Sequence, residues 1–335
     1  MRRNRRDMCT ADTENKQQSG SPDEEMPVFQ VVNFGVSFSQ YERGINRKEL
    51  HVITDLDIEL YEGKILAVVG SSGSGKSLLA HAIMGILPGN ASIYGKLYYH
   101  QEELTQAMIA KIRGRKICLI PQSVNYLDPL EKVGRQISRA VNGASKAEKK
   151  KRVIEMMEKY SLSPQVYDYY PHQLSGGMAR KILLSIALLS ECEILIADEP
   201  TPGLDEPSLE EVLQDFRLAA DEGKAILMIT HDIQAAVRIA DRIAVFYAGS
   251  TLEVADAKAF SGDGSLLSHP YSKALLQAMP QQAFLPIEGV QPMPGNLPEG
   301  CLFYERCPVR CEDCMRSRPQ PRPVRGGKVR CFYAA

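Results

Sequence analysis

A chain of 335 residues, 44% hydrophobic and 24% charged, has the make-up of a globular protein with one large domain or two smaller ones. Its formal net charge of -1 supplies no global pull toward nucleic acid or anionic lipid, so composition favours neither as a partner. The longest apolar stretch, 182–189, is broken by Ser185 and falls short of the ~20 residues a membrane-crossing helix needs.

The opening MRRNRRDM resembles the charged front of a signal peptide, but 9–26 is polar and acidic. Without an apolar core behind the arginines export is not expected, and 1–26 reads as a disordered tail. Over 54–60, Leu56, Ile58 and Leu60 alternate with Asp55, Asp57 and Glu59, which predicts a strand with one solvent-facing side. The continuously apolar 64–69 predicts a strand buried on both faces, and 116–120 a further strand. Residues 129–190 are largely helical in pattern, with a solvated charged face at KAEKKKRVIEMMEK. Short apolar runs return at 193–197, 225–230 and 242–247, with helix-like stretches at 206–222 and 232–241 between them. That alternation predicts a mainly parallel α/β sheet interrupted by a helical insert. A helix-like 269–279 and a proline-rich connector, 280–298, lead to the C-terminal cysteines. No internal repeat is present, which excludes two nucleotide domains in one chain.

Gly70-Ser71-Ser72-Gly73-Ser74-Gly75-Lys76-Ser77 fits G-x-x-x-x-G-K-[ST] and sits between the buried strand and an apolar helix, 78–87. The glycines allow backbone N–H groups to curl around phosphate oxygens, and the helix N-terminus adds partial positive charge. In such a loop Lys76 reaches the β- and γ-phosphates and Ser77 ligates Mg²⁺. A second half follows at ILIADE, where an apolar strand ends in two carboxylates. Asp198 then stands near Mg²⁺, and Glu199 is placed to orient or deprotonate a water. Alone, such a pair reads as a loop start; beside a phosphate loop the catalytic reading holds.

Leu174-Ser175-Gly176-Gly177-Met178, in order between these two motifs, makes 28–255 resemble the ATP-binding-cassette (ABC) ATPases. The resemblance implies a P-loop NTPase fold of the ABC type, with an antiparallel β subdomain, a helical insert near 125–190 and a small cysteine-containing C-terminal extension. It implies that Ser175, Gly176 and Gly177 cap an ATP held by the opposite cassette. It further assigns Gln122 to Mg²⁺ and the attacking water, on a surface facing the membrane subunit. By the same resemblance Asp205 would connect the two cassettes, and His231 would hold the γ-phosphate and Glu199. Phe38 and Tyr41 both remain candidates for stacking on adenine, because 42–50 reads as an insert. Pro202-Gly203 replaces the usual small residues, and Ala179-Arg180-Lys181 the usual Arg-Gln-Arg; neither departure removes a catalytic group.

HPYSKAL, the proline-rich linker and G-C-x-F-x-x-R-C-P over 300–308 resemble the oligopeptide, dipeptide and nickel importer ATPases, and SGGM rather than SGGQ favours the first of their two paired cassette types. The expected organisation is a tail over 1–26, a cassette over 27–262 and an extension over 263–335. The expected function is ATP hydrolysis powering uptake of peptides or chelated nickel. Its partners would be a second cassette, two transmembrane permease subunits and an extracytoplasmic solute-binding protein, at the cytoplasmic face of the membrane. A soluble ABC ATPase acting on nucleic acid or ribosomes is the alternative; it lacks support because there is neither a long coiled coil nor a tandem cassette.

Five of the eight cysteines lie in 301–331. Cys301, Cys307, Cys314 and Cys331, with Cys311 as a fifth thiol, suit a 4Fe–4S cluster better than zinc, because paired short knuckles are missing. Arg306, Arg310, Arg316 and Arg318 are expected to offset the cluster's charge. The segment has too few apolar residues for a core of its own, and the linker is expected to carry it away from the ATP site.

Overall fold

The computed structural model describes residues 25–43, 46–71 and 73–334, so the expected tail lies almost wholly outside the described residues. Two long strands, β1 (Phe29–Arg43) and β2 (Asn46–Leu60), form an antiparallel hairpin. Residues 46–50, expected as part of an insert, are the first third of β2. Their exposure leaves no apolar alternation to read. Then come β3 (Ile65–Val69), α1 (Lys76–Ile83), β4 (Ala91–Tyr99), β5 (Glu102–Glu103), α2 (Gln106–Ile112) and β6 (Ile117–Ile120). The helical insert holds α3 (Val133–Ala140), α4 (Lys146–Lys159) and α5 (Gly176–Leu188). Beyond it lie β7 (Ile194–Asp198), α6 (Glu206–Asp221), β8 (Ala225–Thr230), α7 (Ile233–Ile239), β9 (Arg242–Tyr247) and β10 (Ser250–Asp256). The C-terminal part adds α8 (Pro270–Gln277), α9 (Glu312–Arg316), β11 (Arg322–Val324) and β12 (Gly327–Val329).

Among the described residues the main sheet has the order β11-β12-β10-β9-β3-β8-β7-β6, parallel from β9 to β6. A second, antiparallel sheet has the order β2-β1-β4-β5. Residues of β3, β7 and β8 are buried throughout, as strands covered on both faces must be. Phe34, Ile53, Leu56, Leu66, Val68, Ile196 and Ile229 belong to one core between the two sheets and α1. On the other face Leu195, Ile226 and Met228 pack with the insert and α6. Burial of this apolar surface, at roughly 25 cal/mol per Å², is the main term holding the layers together.

The expected solvent-facing side of β2 is covered. Asp55 pairs with Arg318 at 3.0 Å, Asp57 with Arg330, and Glu59 with Lys328 at 2.8 Å. The extension therefore docks by a row of charge pairs in β2's own period of two. It also borrows core: Cys301, Leu302, Phe303 and Cys314 pack with Tyr247, Leu252, Phe260 and Tyr271. β12 lengthens the main sheet by pairing with β10. The segment's shortage of apolar residues for a core of its own is met by the neighbouring strands and helices, which supply the missing core. α8 starts at the HPY sequence for a physical reason. His269 Nδ1 accepts the Tyr271 N–H at 3.0 Å, Pro270 takes the first helical position, and buried Glu253 accepts the N–H groups of Ser268 and His269.

Candidate nucleotide site

The loop after β3 is built so that its backbone is bare. A Cβ on Gly70 would lie 2.2 Å from the Phe246 carbonyl oxygen, so no larger residue fits there. Gly75, at φ 96°, turns the chain into α1 in a conformation that side chains disfavour. Lys76 is buried, and its Nζ donates to the carbonyls of Gly70 at 2.8 Å and Ser71 at 2.9 Å. Burial holds its ammonium below the usual lysine range. Ser74 Oγ bonds the same Ser71 carbonyl. Ser72 is outside the described residues, and Gly73, at φ 76°, has open space around it.

Across the loop stand the C-terminal ends of β7 and β8, where ligands of parallel sheets gather. The Ser77 hydroxyl donates to Asp198 Oδ1 at 3.0 Å, and burial raises the Asp198 carboxyl above its ordinary range. Glu199, 6% exposed, has φ 48°, a left-handed geometry costing on the order of 1 kcal/mol for a residue with a side chain. It is pinned at both ends. Its N–H donates to the Ile229 carbonyl at 2.8 Å, and its own carbonyl accepts Arg180 at 2.6 Å. Glu199 Oε2 meets His231 Nδ1 at 2.8 Å, while the His231 ring stays mostly exposed. A hydroxyl–carboxylate pair and a carboxylate–imidazole pair thus face one phosphate-sized loop.

Arg180 is the residue that sequence reasoning passed over. Besides the Glu199 carbonyl it bonds that of Gln122 at 2.9 Å, so α5 ties the Gln122 segment to the end of β7. Its replacement of the usual glutamine was visible in the sequence, and its contacts were not. The Gln122 side chain itself is exposed.

Other expected residues are placed apart. Ser175 caps α5, accepting the Met178 N–H at 3.2 Å, with Gly176 in open space beside it. A Cβ on Gly177 would lie 4.0 Å from the Gly203 carbonyl, which brings the two loops together. Asp205 caps α6 by accepting the Ser208 N–H, and the Ser208 hydroxyl, with help from that bond, holds its carboxyl below the usual range. Phe38 packs partly into the core. Tyr41 is exposed and bonded by Arg47, whose guanidinium lies 5.3 Å from its ring centre. A cavity of about 540 Å³, lined by Tyr61, Lys64, Asp241, Arg242 and Lys258 among others, opens at the N-terminal ends of β3 and β9, away from the phosphate loop.

The C-terminal thiols converge without forming a tight metal site. Cys311 Sγ lies 3.4 Å from Cys314 Sγ, and Cys301 N–H bonds the Cys314 carbonyl at 2.7 Å. Burial pushes the Cys301 thiol up to about 11 and Cys314 to about 12, with Cys307 and Cys331 raised likewise. Among the described residues no three His, Cys, Asp or Glu side chains make a group that could hold a metal ion. The four arginines have partners of their own: Arg306 bonds linker carbonyls, Arg310 the Glu305 carbonyl, Arg316 Glu312, and Arg318 Asp55.

A phosphate loop between buried strand and helix, faced by Asp198 and the Glu199–His231 pair, defines a P-loop nucleoside triphosphatase. Comparison with known proteins narrows this. The family model "ABC transporter" matches 53–202, and "Oligopeptide/dipeptide transporter, C-terminal region" matches 253–314. The oligopeptide transport ATP-binding protein AppD of Bacillus subtilis is 33% identical over 306 residues, covering 85% of this chain and 92% of its own length. OppD of Escherichia coli is 32% identical over 333 residues, covering 92% and 98%. A dimeric ATP-binding cassette in a post-hydrolysis state with ADP and Pi superposes with a TM-score of 0.59 at 27% identity, covering 68% of this chain and 98% of that one. This chain belongs to the ABC transporter ATP-binding proteins of the oligopeptide/dipeptide family. It has the cassette fold and is an ATPase that uses ATP and Mg²⁺.

Proposed function

We propose that this chain powers peptide import at the cytoplasmic face of a membrane. In this reading it pairs with a second cassette, two permease subunits and an extracytoplasmic solute-binding protein. The observation that carries the solute class is the match of 253–314 to the C-terminal region of oligopeptide/dipeptide transporters. The relatives named above transport oligopeptides, which favours peptide over nickel. Among the described residues no helix is long and apolar enough to cross a membrane, in keeping with separate channel subunits.

In this reading each site residue has a role. Gly70–Ser77 cradle the triphosphate, and Lys76 exchanges its two carbonyl partners for phosphate oxygens. Ser77 and Asp198, already hydrogen-bonded, would hold Mg²⁺, which supplies charge neutralisation at the phosphates. Glu199 takes a proton from the attacking water, with His231 fixing its carboxylate. Gln122 lines the water and faces the permease. Ser175, Gly176, Gly177 and Asp205 complete the partner's site, and Tyr41 or Phe38 stacks on adenine. Residues 27–262 form the cassette and 263–335 the extension.

We further propose a 4Fe–4S cluster on Cys301, Cys307, Cys314 and Cys331. Cys301 and Cys314 share one buried patch with half-buried Cys307 against it, Cys331 lies in a small separate one, and the raised thiols would have to release protons on binding. Anaerobically purified protein should carry about four irons per chain; iron-free protein refutes the cluster alone. For the solute, ATP turnover of the assembled transporter should rise with a short peptide and its binding protein and stay flat with a nickel salt. The reverse pattern would reassign the cargo.

A further inference from the structure

The linker expected to lead away from the nucleotide site returns to it. The Ser71 hydroxyl donates to Gln291 Oε1 at 2.6 Å, joining residues 220 positions apart. Buried Tyr271 lies beside the same serine; burial pushes its hydroxyl up to about 12, against the pull of the Ser71 contact. The linker is fastened a few residues upstream. Arg306 Nε donates to the Glu288 carbonyl at 2.8 Å, and its terminal nitrogens reach the Ile287 carbonyl at 3.0 Å and the Tyr247 hydroxyl at 3.2 Å. Its guanidinium stands 5.8 Å from the Tyr247 ring centre and 5.9 Å from that of Phe303. Arg306 immediately precedes Cys307. Ser71, at the far end, is the residue whose carbonyl holds both Lys76 Nζ and Ser74 Oγ.

We propose that residues 287–291 form a strap, buckled by Arg306 and ending at Gln291, that positions the phosphate loop for ATP. Gln291 is a positioning residue for nucleotide binding, and through it the C-terminal segment sets ATP affinity. The proposal rests on the reading of Gly70–Ser77 as the phosphate loop. The physical reason is preorganisation. A loop whose turns rely on Gly73 and Gly75 has many competing conformations, and a tether at Ser71 removes some of them before ATP arrives. One such hydrogen bond corresponds to about a fivefold change in an equilibrium constant.

The test is the affinity of the full chain for Mg²⁺ and a fluorescent N-methylanthraniloyl ATP. Gln291→Ala and Ser71→Ala should each weaken binding about fivefold, and the double variant no further, because both remove one contact. Gln291→Glu keeps the acceptor but sets a negative charge beside the triphosphate. It should bind more weakly than Gln291→Ala at low salt and recover as salt rises. Arg306→Ala should reproduce the Gln291→Ala loss, with turnover at saturating ATP within about twofold of the parent. Unchanged affinity in Gln291→Ala, or additive losses in the double variant, overturns the strap. Lys76→Ala separates the two readings: it should abolish binding whether or not the strap exists, and intact binding there would sink the phosphate-loop reading itself.

Discussion

The nucleotide loop and the C-terminal extension are both short segments with little core of their own, and they solve that problem in opposite ways. The loop is held mainly locally, by a buried strand on one side, a helix on the other, and a lysine folded onto carbonyls five and six residues back, with Gln291 as a tie from afar. The extension is held at long range, by Arg318, Lys328 and Arg330 on β2 and by Leu302 and Phe303 in the cassette's core. Local construction leaves the loop's own groups available for a ligand. Long-range construction makes the extension a lever on whatever it touches, and it touches both β2 and Ser71.

That contrast can be broken experimentally. Arg330 is almost fully buried against Asp57, so Arg330→Ala should cost about 2 kcal/mol by leaving the carboxylate short of its partner. Denaturant unfolding should register that loss, with earlier proteolysis within 299–334. Unchanged stability would mean that the charge row is decoration. Arg180→Gln tests the cassette side. It removes the tie between the Gln122 and Glu199 carbonyls and should lower turnover about tenfold with ATP affinity little changed, since one charged hydrogen bond is about that strong. A loss of affinity without loss of turnover would contradict the placement of Arg180.

A pH-dependent effect is expected at His269, whose pKa burial lowers from 6.5 to about 3. Between those values the unfolded chain takes up a proton that the folded one refuses, so stability is full above 6.5 and falls as pH drops toward 3. His269→Asn retains a cap for the Tyr271 N–H and should flatten that acid slope, as read by thermal unfolding between pH 7 and pH 4. An unaltered slope would place the acid sensitivity elsewhere.

The sequence made the buried strands, the phosphate loop and the Asp198-Glu199 pair readable, because each is a local pattern whose meaning lies within ten residues. His231 was readable only by resemblance, and the structure sets it on Glu199 at 2.8 Å. What stayed illegible is tertiary. The alternation of Asp55, Asp57 and Glu59 spelled a solvent-facing strand, and it is in fact a docking row whose partners come 263 or more residues later. The arginines flanking the cysteines read as counter-charges for a cluster, yet Arg306 and Arg318 serve the linker and β2. The linker's return was invisible for the same reason: nothing within 280–298 signals that Gln291 will meet Ser71.

In the proposed mechanism hydrolysis is carried by Glu199, poised by its left-handed backbone and by His231. The measurement that bears on it most directly is ATP binding and ATP turnover of Glu199→Gln, taken together in the assembled transporter. The substitution keeps shape and hydrogen bonding but removes the base. Binding should therefore persist while turnover falls by about 10²–10⁴-fold. Turnover near that of the parent protein would contradict that role for Glu199.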